Sequence, residues 1–397
     1  MPIYIWFPSL NGLIAGFVFM SIPPAADQFM ELFGAGYGGL AIFLSGLVWA
    51  HALGQIPAGI AADRLGVFRL LLAATLVGCA ANFLPFLAPA SLGFATAARF
   101  LLGFCTALQF LTLMRILGIL VPPAGMPKAQ ACYGGAFGIG TVLPYLIVPR
   151  FGSLAWMFSY ILGGCGYFLV FALAFLLPRE KFNLPPSRSD GHPRIAASMA
   201  AILGSPAIWA LGIVHGLSYG TMNNLGQWLP SFLADLGGGT LGDWAPAAIL
   251  LLLLSSFGRA ASGHVLRLSS RAGIIASGMF LTTILYLALG LAPWVQVALA
   301  AGLALAVVCC INYGSIFTLA SWALAPAYMA TAIGAMTMIA NLTSASLTLL
   351  LGNVREFSGS FRAGYLASGL AALAVWLSTR GIIRRLDRRV LDKTAEK

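Results

Sequence analysis

Twelve stretches of roughly twenty apolar residues follow one another along the chain, and each is long enough to cross a bilayer as a helix. They lie near residues 5–24, 37–60, 69–89, 93–119, 130–149, 154–177, 206–233, 244–266, 272–291, 294–320, 328–351 and 363–380, separated by short links that carry Gly, Pro, Asp and Arg. With 60% hydrophobic and only 8% charged residues in 397, against the quarter or so charged in a soluble domain, most of this chain has to sit in lipid. The spacing predicts an all-α integral membrane protein with twelve transmembrane helices.

The net charge of +11 raises nucleic acid as a partner, and the positions of the basic residues argue against it. With the N-terminus inside, the inner links and tail hold Arg64, Arg69, Lys128, Arg179, Lys181, Arg188, Arg194, Arg267, Arg271, Arg380 and Arg384 onward, whereas the outer links hold Arg150, Arg355 and Arg362. That asymmetry predicts an even number of spans with both termini in the cytoplasm, and the expected location is the cytoplasmic (bacterial inner) membrane. The tail mixes Arg384, Arg385, Arg388 and Arg389 with Asp387 and Asp392, which reads as a surface helix against anionic membrane lipid. The six cysteines lie in apolar stretches without metal-site spacing, so neither a metal nor a cofactor is expected. No HExxH, GxSxG or carboxylate pair suggests an enzyme. The first stretch lacks a basic leader and is expected to stay as a helix.

The longest polar link falls mid-chain and divides it into a bundle over 1–177, a linker over 178–205, a second bundle over 206–380 and a basic tail over 381–397. The halves repeat at an offset of about 204 residues. Asn11-Gly12-Leu13-Ile14-Ala15-Gly16 meets His215-Gly216-Leu217-Ser218-Tyr219-Gly220, and Gly54 to Gly59 meets Gly258 to Gly263. Internal repeats of this size are how many carriers are built.

The stretch from Gly54 to Arg69, GQIPAGIAADRLGVFR, resembles the G-x-x-x-D-R-x-G-R loop of the major facilitator superfamily. Arg99-x-x-x-Gly103, the glycines Gly134, Gly135, Gly138 and Gly140 with Pro144, and Trp228-Leu229-Pro230 agree with it. The resemblance implies two pseudo-symmetric six-helix bundles that rock about one central site. It also implies a conformational latch made by Gly54, Gly59, Asp63, Arg64, Gly66 and Arg69. Asp63, expected just past the end of the second span, would face the N-terminus of the eleventh, which begins after Pro326. In the second half Arg267 stands where the repeat expects Asp.

Charged and polar side chains inside spans are costly and need a reason. The cations are Arg99 and Arg259, with Arg115 nearer an end, and His51, His215 and His264 join them, while no Asp or Glu lies deep in a span. Such a cavity is positive and favours an anion. Arg259, whose repeat mate is Gln55, is the leading substrate residue. Nitrate and nitrite porters are similar here, with an arginine at both positions, and this chain keeps only the second. Around Arg259 the expected lining is His215, Asn11, Gln55, Tyr219, Asn223, Gln227, Asn312, Tyr313 and Asn341, with Thr343 and Ser344. His215, His51 and Arg99 are the candidates for coupling. The packing alternatives stay open: Arg259 in a helix-packing motif, Arg99 bonded to carbonyls or snorkelling, His215 and Asn11 in interhelical hydrogen bonds, His51 as a satisfied buried histidine.

The expected function is secondary active transport of a small anionic or zwitterionic solute by a monomer, through proton symport or exchange. The rival is a proton-coupled exporter of drugs or other hydrophobic compounds, favoured by 26 Phe and 9 Trp.

Overall fold

The computed structural model describes residues 3–122, 126–177, 200–265, 269–324 and 329–395. Among them twelve long helices carry the chain: α1 (Ile3–Met20), α2 (Tyr37–Leu65), α3 (Val67–Phe83), α4 (Leu92–Leu120), α5 (Met126–Ile147), α6 (Ala155–Ala174), α7 (Pro206–Gly237), α8 (Leu241–Val265), α9 (Arg271–Gly290), α10 (Val295–Ala320), α11 (Met329–Ser358) and α12 (Arg362–Ala395). In hydrocarbon each backbone N–H and C=O has to be satisfied within its own segment, which leaves the helix as the form these apolar runs can take. Three starts are set by serine caps: Ser91, Ser205 and Ser270 accept from the N–H three residues on, and Pro206 occupies the first turn of α7. Among the described residues ten stretches are long and apolar enough to cross a membrane, the one over Cys132–Ala174 joining most of α5 to the whole of α6. The helix outside that set is α7, which buries His215, Asn223, Asn224 and Gln227.

The chain divides into two compact units, Met1–Arg188 with Gly239–Leu253, and Ser189–Gly238 with Leu254–Lys397. In the first, α1 packs on α5, α2 on α4 and α3 on α6; in the second, α7 packs on α11 and α9 on α12, with α8 brought onto α10 through Gly258 and Gly314. The crossings are close because glycine makes them so. A methyl group added at Gly16 or Gly140 would run into the backbone of the facing helix, α5 or α1 respectively, and one at Gly103 into the Leu47 carbonyl of α2. The offset of 204 is visible here. Gly12 and Gly216 lie against Tyr133 of α5 and Thr343 of α11, and Gly16 and Gly220 against the next turn of the same helices. Away from these seams the surface is apolar, with Phe168, Phe175, Phe257 and Phe280 outward, as a lipid-facing surface requires.

Two features differ from the sequence expectation. Asp63 lies within α2, which runs to Leu65 because the turn into α3 is made by Gly66 alone, at φ 82° and ψ 141°. The residues after 380 do not form a separate surface helix but continue α12, which runs unbroken for 34 residues from Arg362 to Ala395. What holds that extension is Asp387, which is 2% exposed, accepts from Ala272 N at 2.9 Å and pairs with Arg271 at 3.5 Å. A carboxylate is stabilised at the positive N-terminus of α9, so α12 is pinned where a solvated tail would leave. Most of the linker, 178–199, with Arg267, Pro326 and the side chains of Asp63, Arg64, Lys128 and His264, lies outside the described residues, and so does the contact expected between Asp63 and the eleventh span.

Two stability predictions follow from these contacts. Gly103→Leu is expected to lose about 2–3 kcal/mol through overpacking, while Gly93→Ala, where an added methyl group meets nothing within 4 Å, stays near neutral; thermal unfolding in detergent compares them. Asp387→Ala is expected to cost about 2 kcal/mol, against less than about 0.5 kcal/mol for the exposed Asp392→Ala.

Candidate functional site

In the second unit α7 presents His215, Tyr219 and Met222 along one stripe, three to four residues apart. Opposite them α8 brings Arg259, and α10 brings Cys310, Tyr313 and Phe317. The guanidinium of Arg259 lies 5.9 Å from the Tyr219 ring and 5.7 Å from the Tyr313 ring. Its Nη2 donates towards the Met222 sulfur, and its side chain also hydrogen-bonds Cys310. His215 packs on Tyr219 at 6.0 Å, on Tyr313 at 5.7 Å and edge-on to Phe317 at 5.2 Å. Tyr313 and Phe317 stand 4.4 Å apart. The residue beside Arg259 explains its position: Gly258 lets α8 approach until an added methyl carbon would sit 3.0 Å from Cys310 Cβ.

Every partner shown for Arg259 is an aromatic face or a sulfur. A guanidinium has five N–H donors, and rings and thioethers use them weakly. The carboxylates among the described residues of this unit are engaged or outward: Asp235 pairs with Arg355 at 3.0 Å, Asp387 holds Arg271 and α9, and Glu356 and Asp392 are exposed. The site therefore combines a half-buried cation, spare donors and aromatic walls. Such an arrangement can take up a carboxylate-sized anion, whose oxygens accept paired N–H bonds at roughly twice the strength of neutral ones.

Other residues singled out from the sequence go elsewhere. Asn223 bonds Ser344 Oγ at 3.3 Å and the Tyr219 side chain. Gln227 accepts from Thr348 at 3.1 Å, and Asn224 reaches the Ser344 carbonyl at 3.2 Å. These bonds sew α7 to α11. Thr343 sits at the same seam against Gly216. Asn312, fully buried, points its amide at Gly278 of α9, on another side of α10 from Tyr313. Asn341 turns back on its own helix, donating to the Thr337 carbonyl at 2.9 Å.

In the first unit His51 Nδ1 lies 2.9 Å from Thr106 Oγ1, and that hydroxyl donates to the Gly103 carbonyl at 2.7 Å. The threonine proton is thus committed, so its oxygen accepts from His51 Nδ1–H and leaves Nε2 as the basic nitrogen. Arg99 is 2% exposed and does not snorkel; its guanidinium lies 5.3 Å over the Phe43 ring, and Nε and Nη2 have no partner among the described residues. Asn11 and Gln55 are buried, each with its amide nitrogen unpartnered among the described residues. Of the latch residues, Gly54 marks a close approach of α2 to α4, where a methyl carbon would sit 2.8 Å from Phe104 and 3.0 Å from Ala107. Gly66 makes the turn, and Arg69 is exposed on α3.

Met222, Cys310 and Phe317 belong to the Arg259 cluster and were not singled out from the sequence. The signal was there in spacing, since they stand three or four residues from Tyr219 and Tyr313. An inventory of polar groups passes over sulfur and phenyl rings.

Residues 9–348 match the model of the Major Facilitator Superfamily. Among solved structures, a peptide transporter in complex with sulfate aligns over 98% of this chain and 96% of its own, with 14% identity and a TM-score of 0.77. A bacterial homologue of the human lysosomal transporter Spinster aligns over 98% and 97%, at 14% identity and TM-score 0.73. A D-xylose–proton symporter aligns over 94% and 96%, at 17% and 0.72. No curated protein sequence matches the chain.

The two histidines should respond differently to replacement by phenylalanine. His215 has ring partners and an unpartnered Nδ1 among the described residues, so His215→Phe is expected to unfold at the same temperature or higher. His51→Phe strands the Thr106 oxygen and is expected to lose about 1–2 kcal/mol, measured in the same unfolding assay.

Proposed function

The chain belongs to the major facilitator superfamily, an integral membrane transporter of small-molecule solutes and not an enzyme, and from that premise we propose that its cargo is a small anionic or zwitterionic solute. Transport runs by alternating access, coupled to protons by symport or exchange, across the cytoplasmic (bacterial inner) membrane with both termini in the cytoplasm. The observation that carries this reading is Arg259, a cation whose partners are Tyr219, Tyr313, Met222 and Cys310 and none of them a carboxylate. In a site of low dielectric an unpaired guanidinium favours a negative group strongly, and the tyrosine faces also suit the ammonium of a zwitterion.

The substrate residues of this reading are Arg259, His215, Tyr219 and Tyr313. His51, with Nε2 available, is the first candidate for the coupling proton, since a neutral histidine is the ordinary carrier near pH 7 where no membrane carboxylate offers itself. The aromatic wall of His215, Tyr313 and Phe317 favours a second reading, export of hydrophobic compounds, in which the rings and not the cation do the binding.

Uptake into proteoliposomes under imposed pH and voltage gradients separates the two. On the anion reading, Arg259→Ala lowers carboxylate uptake about 30-fold or more, the loss of one charge-assisted pair. Arg259→Lys, which keeps the charge but not the paired geometry, gives an intermediate loss. Undiminished anion uptake by Arg259→Ala, or transport driven by voltage in the sense of a cation, overturns it; a drug-resistance panel on cells overexpressing the protein tests the second reading.

A further inference from the structure

At 34 residues α12 is about 51 Å long, against roughly 30 Å of hydrocarbon. Counted from Arg362, about twenty residues fill the hydrocarbon, so its boundary falls near Trp376 to Arg384. At that level a cleft opens between α12 and α9, lined by Ala272, Ala276, Trp376, Thr379, Arg380 and Arg384. We propose that this cleft binds one anionic phospholipid, with its phosphate held by Arg380 and Arg384 and an acyl chain laid along Trp376 and Phe280.

Charge complementarity comes first. Arg380 and Arg384 are four residues apart on one face of α12, both exposed and both in the cleft wall, so two guanidinium groups converge where the hydrocarbon gives way to headgroups. The carboxylate nearest in sequence, Asp387, is buried on Arg271 and the α9 N-terminus, which takes both the acid and the helix end out of competition. Asp392 stands two turns beyond Arg384.

The rest of the cleft fits an amphiphile better than a free ion. Ala272, Ala276 and Thr379 make a shallow floor, while Trp376 sits beneath Arg380, whose guanidinium lies 5.8 Å from the indole. Indole rings favour this depth, and Trp376 Nε1 has no partner among the described residues. From there the surface runs into the membrane as an apolar track: Trp376 packs on Phe280 at 5.8 Å, and Phe280 and Ile284 are 48% and 44% exposed. Basic pockets between helices at a membrane face are where anionic headgroups dock. The site is independent of the solute carried.

Delipidated full-length protein in detergent is titrated with phosphatidylglycerol, phosphatidylcholine or inorganic phosphate, and bound lipid is read by native mass spectrometry and thermal unfolding. Wild-type protein is expected to retain one phosphatidylglycerol preferentially and to unfold at a higher temperature with it. R380Q/R384Q is expected to bind it about tenfold more weakly, two basic contacts at the surface being lost, whereas R385Q/R389Q, which removes the same charge from another face, changes binding less than about threefold. Ala276→Trp fills the cleft from α9 with every arginine kept and is expected to abolish retention, which keeps the test open if the arginine pair fails to fold. Equal retention of phosphatidylcholine, equal loss in both arginine pairs, undiminished binding by Ala276→Trp, or an equal rise in unfolding temperature with inorganic phosphate alone overturns the proposal.

Discussion

Helices in hydrocarbon gain little from hiding apolar surface from one another, because the lipid is as apolar as they are, so what joins them is close packing. In this chain that closeness is supplied by glycine at each seam. Gly16 and Gly140 let α1 and α5 touch backbone to backbone, Gly103 brings α4 onto the Leu47 carbonyl of α2 while Gly54 makes room for Phe104 and Ala107, and in the second unit Gly216, Gly220 and Gly258 make room for Thr343, Ser344 and Cys310. The position of every other group of interest follows from it. Arg259 meets Tyr313 because Gly258 draws α8 onto α10, and His51 reaches Thr106 because α2 and α4 cross at Gly103.

Within that frame the charges are handled in two ways. Near the helix ends they pair: Asp235 with Arg355, and Asp387 with Arg271 and a helix N-terminus. Inside the spans they are met by rings, Arg99 by Phe43 and Arg259 by two tyrosines. A carboxylate partner would neutralise such a cation and leave nothing for a ligand to gain; a ring lowers its cost while keeping its sign. The first arrangement is structural, and the second keeps a site receptive.

Twelve helices, and the glycine pattern that repeats at 204 residues, were legible because both rest on signals that the bilayer enforces, length of apolar run and spacing of glycine. Side-chain direction was harder to read. A polar residue in a span announces that it needs a partner without saying which helix supplies it. From His215 the helix turns by about 80° over the eight residues to Asn223 and about 120° over the twelve to Gln227, enough to carry those amides from the Arg259 cluster to the α11 seam. Asn312, next to Tyr313, points to α9 for the same reason. The ends of α2 and α12 were misjudged because charge was taken as the stop, although Gly66 alone turns the one, and a buried carboxylate at residue 387 extends the other.

Gly66 has a mechanical consequence. A connection of a single residue, held in a backbone conformation open to glycine, contains no slack to pay out. The end of α2 and the start of α3 are therefore hinged at one point and cannot slide apart. Any displacement at the foot of α2 arrives undiminished at the foot of α3, as in an elbow whose two bones share one pin.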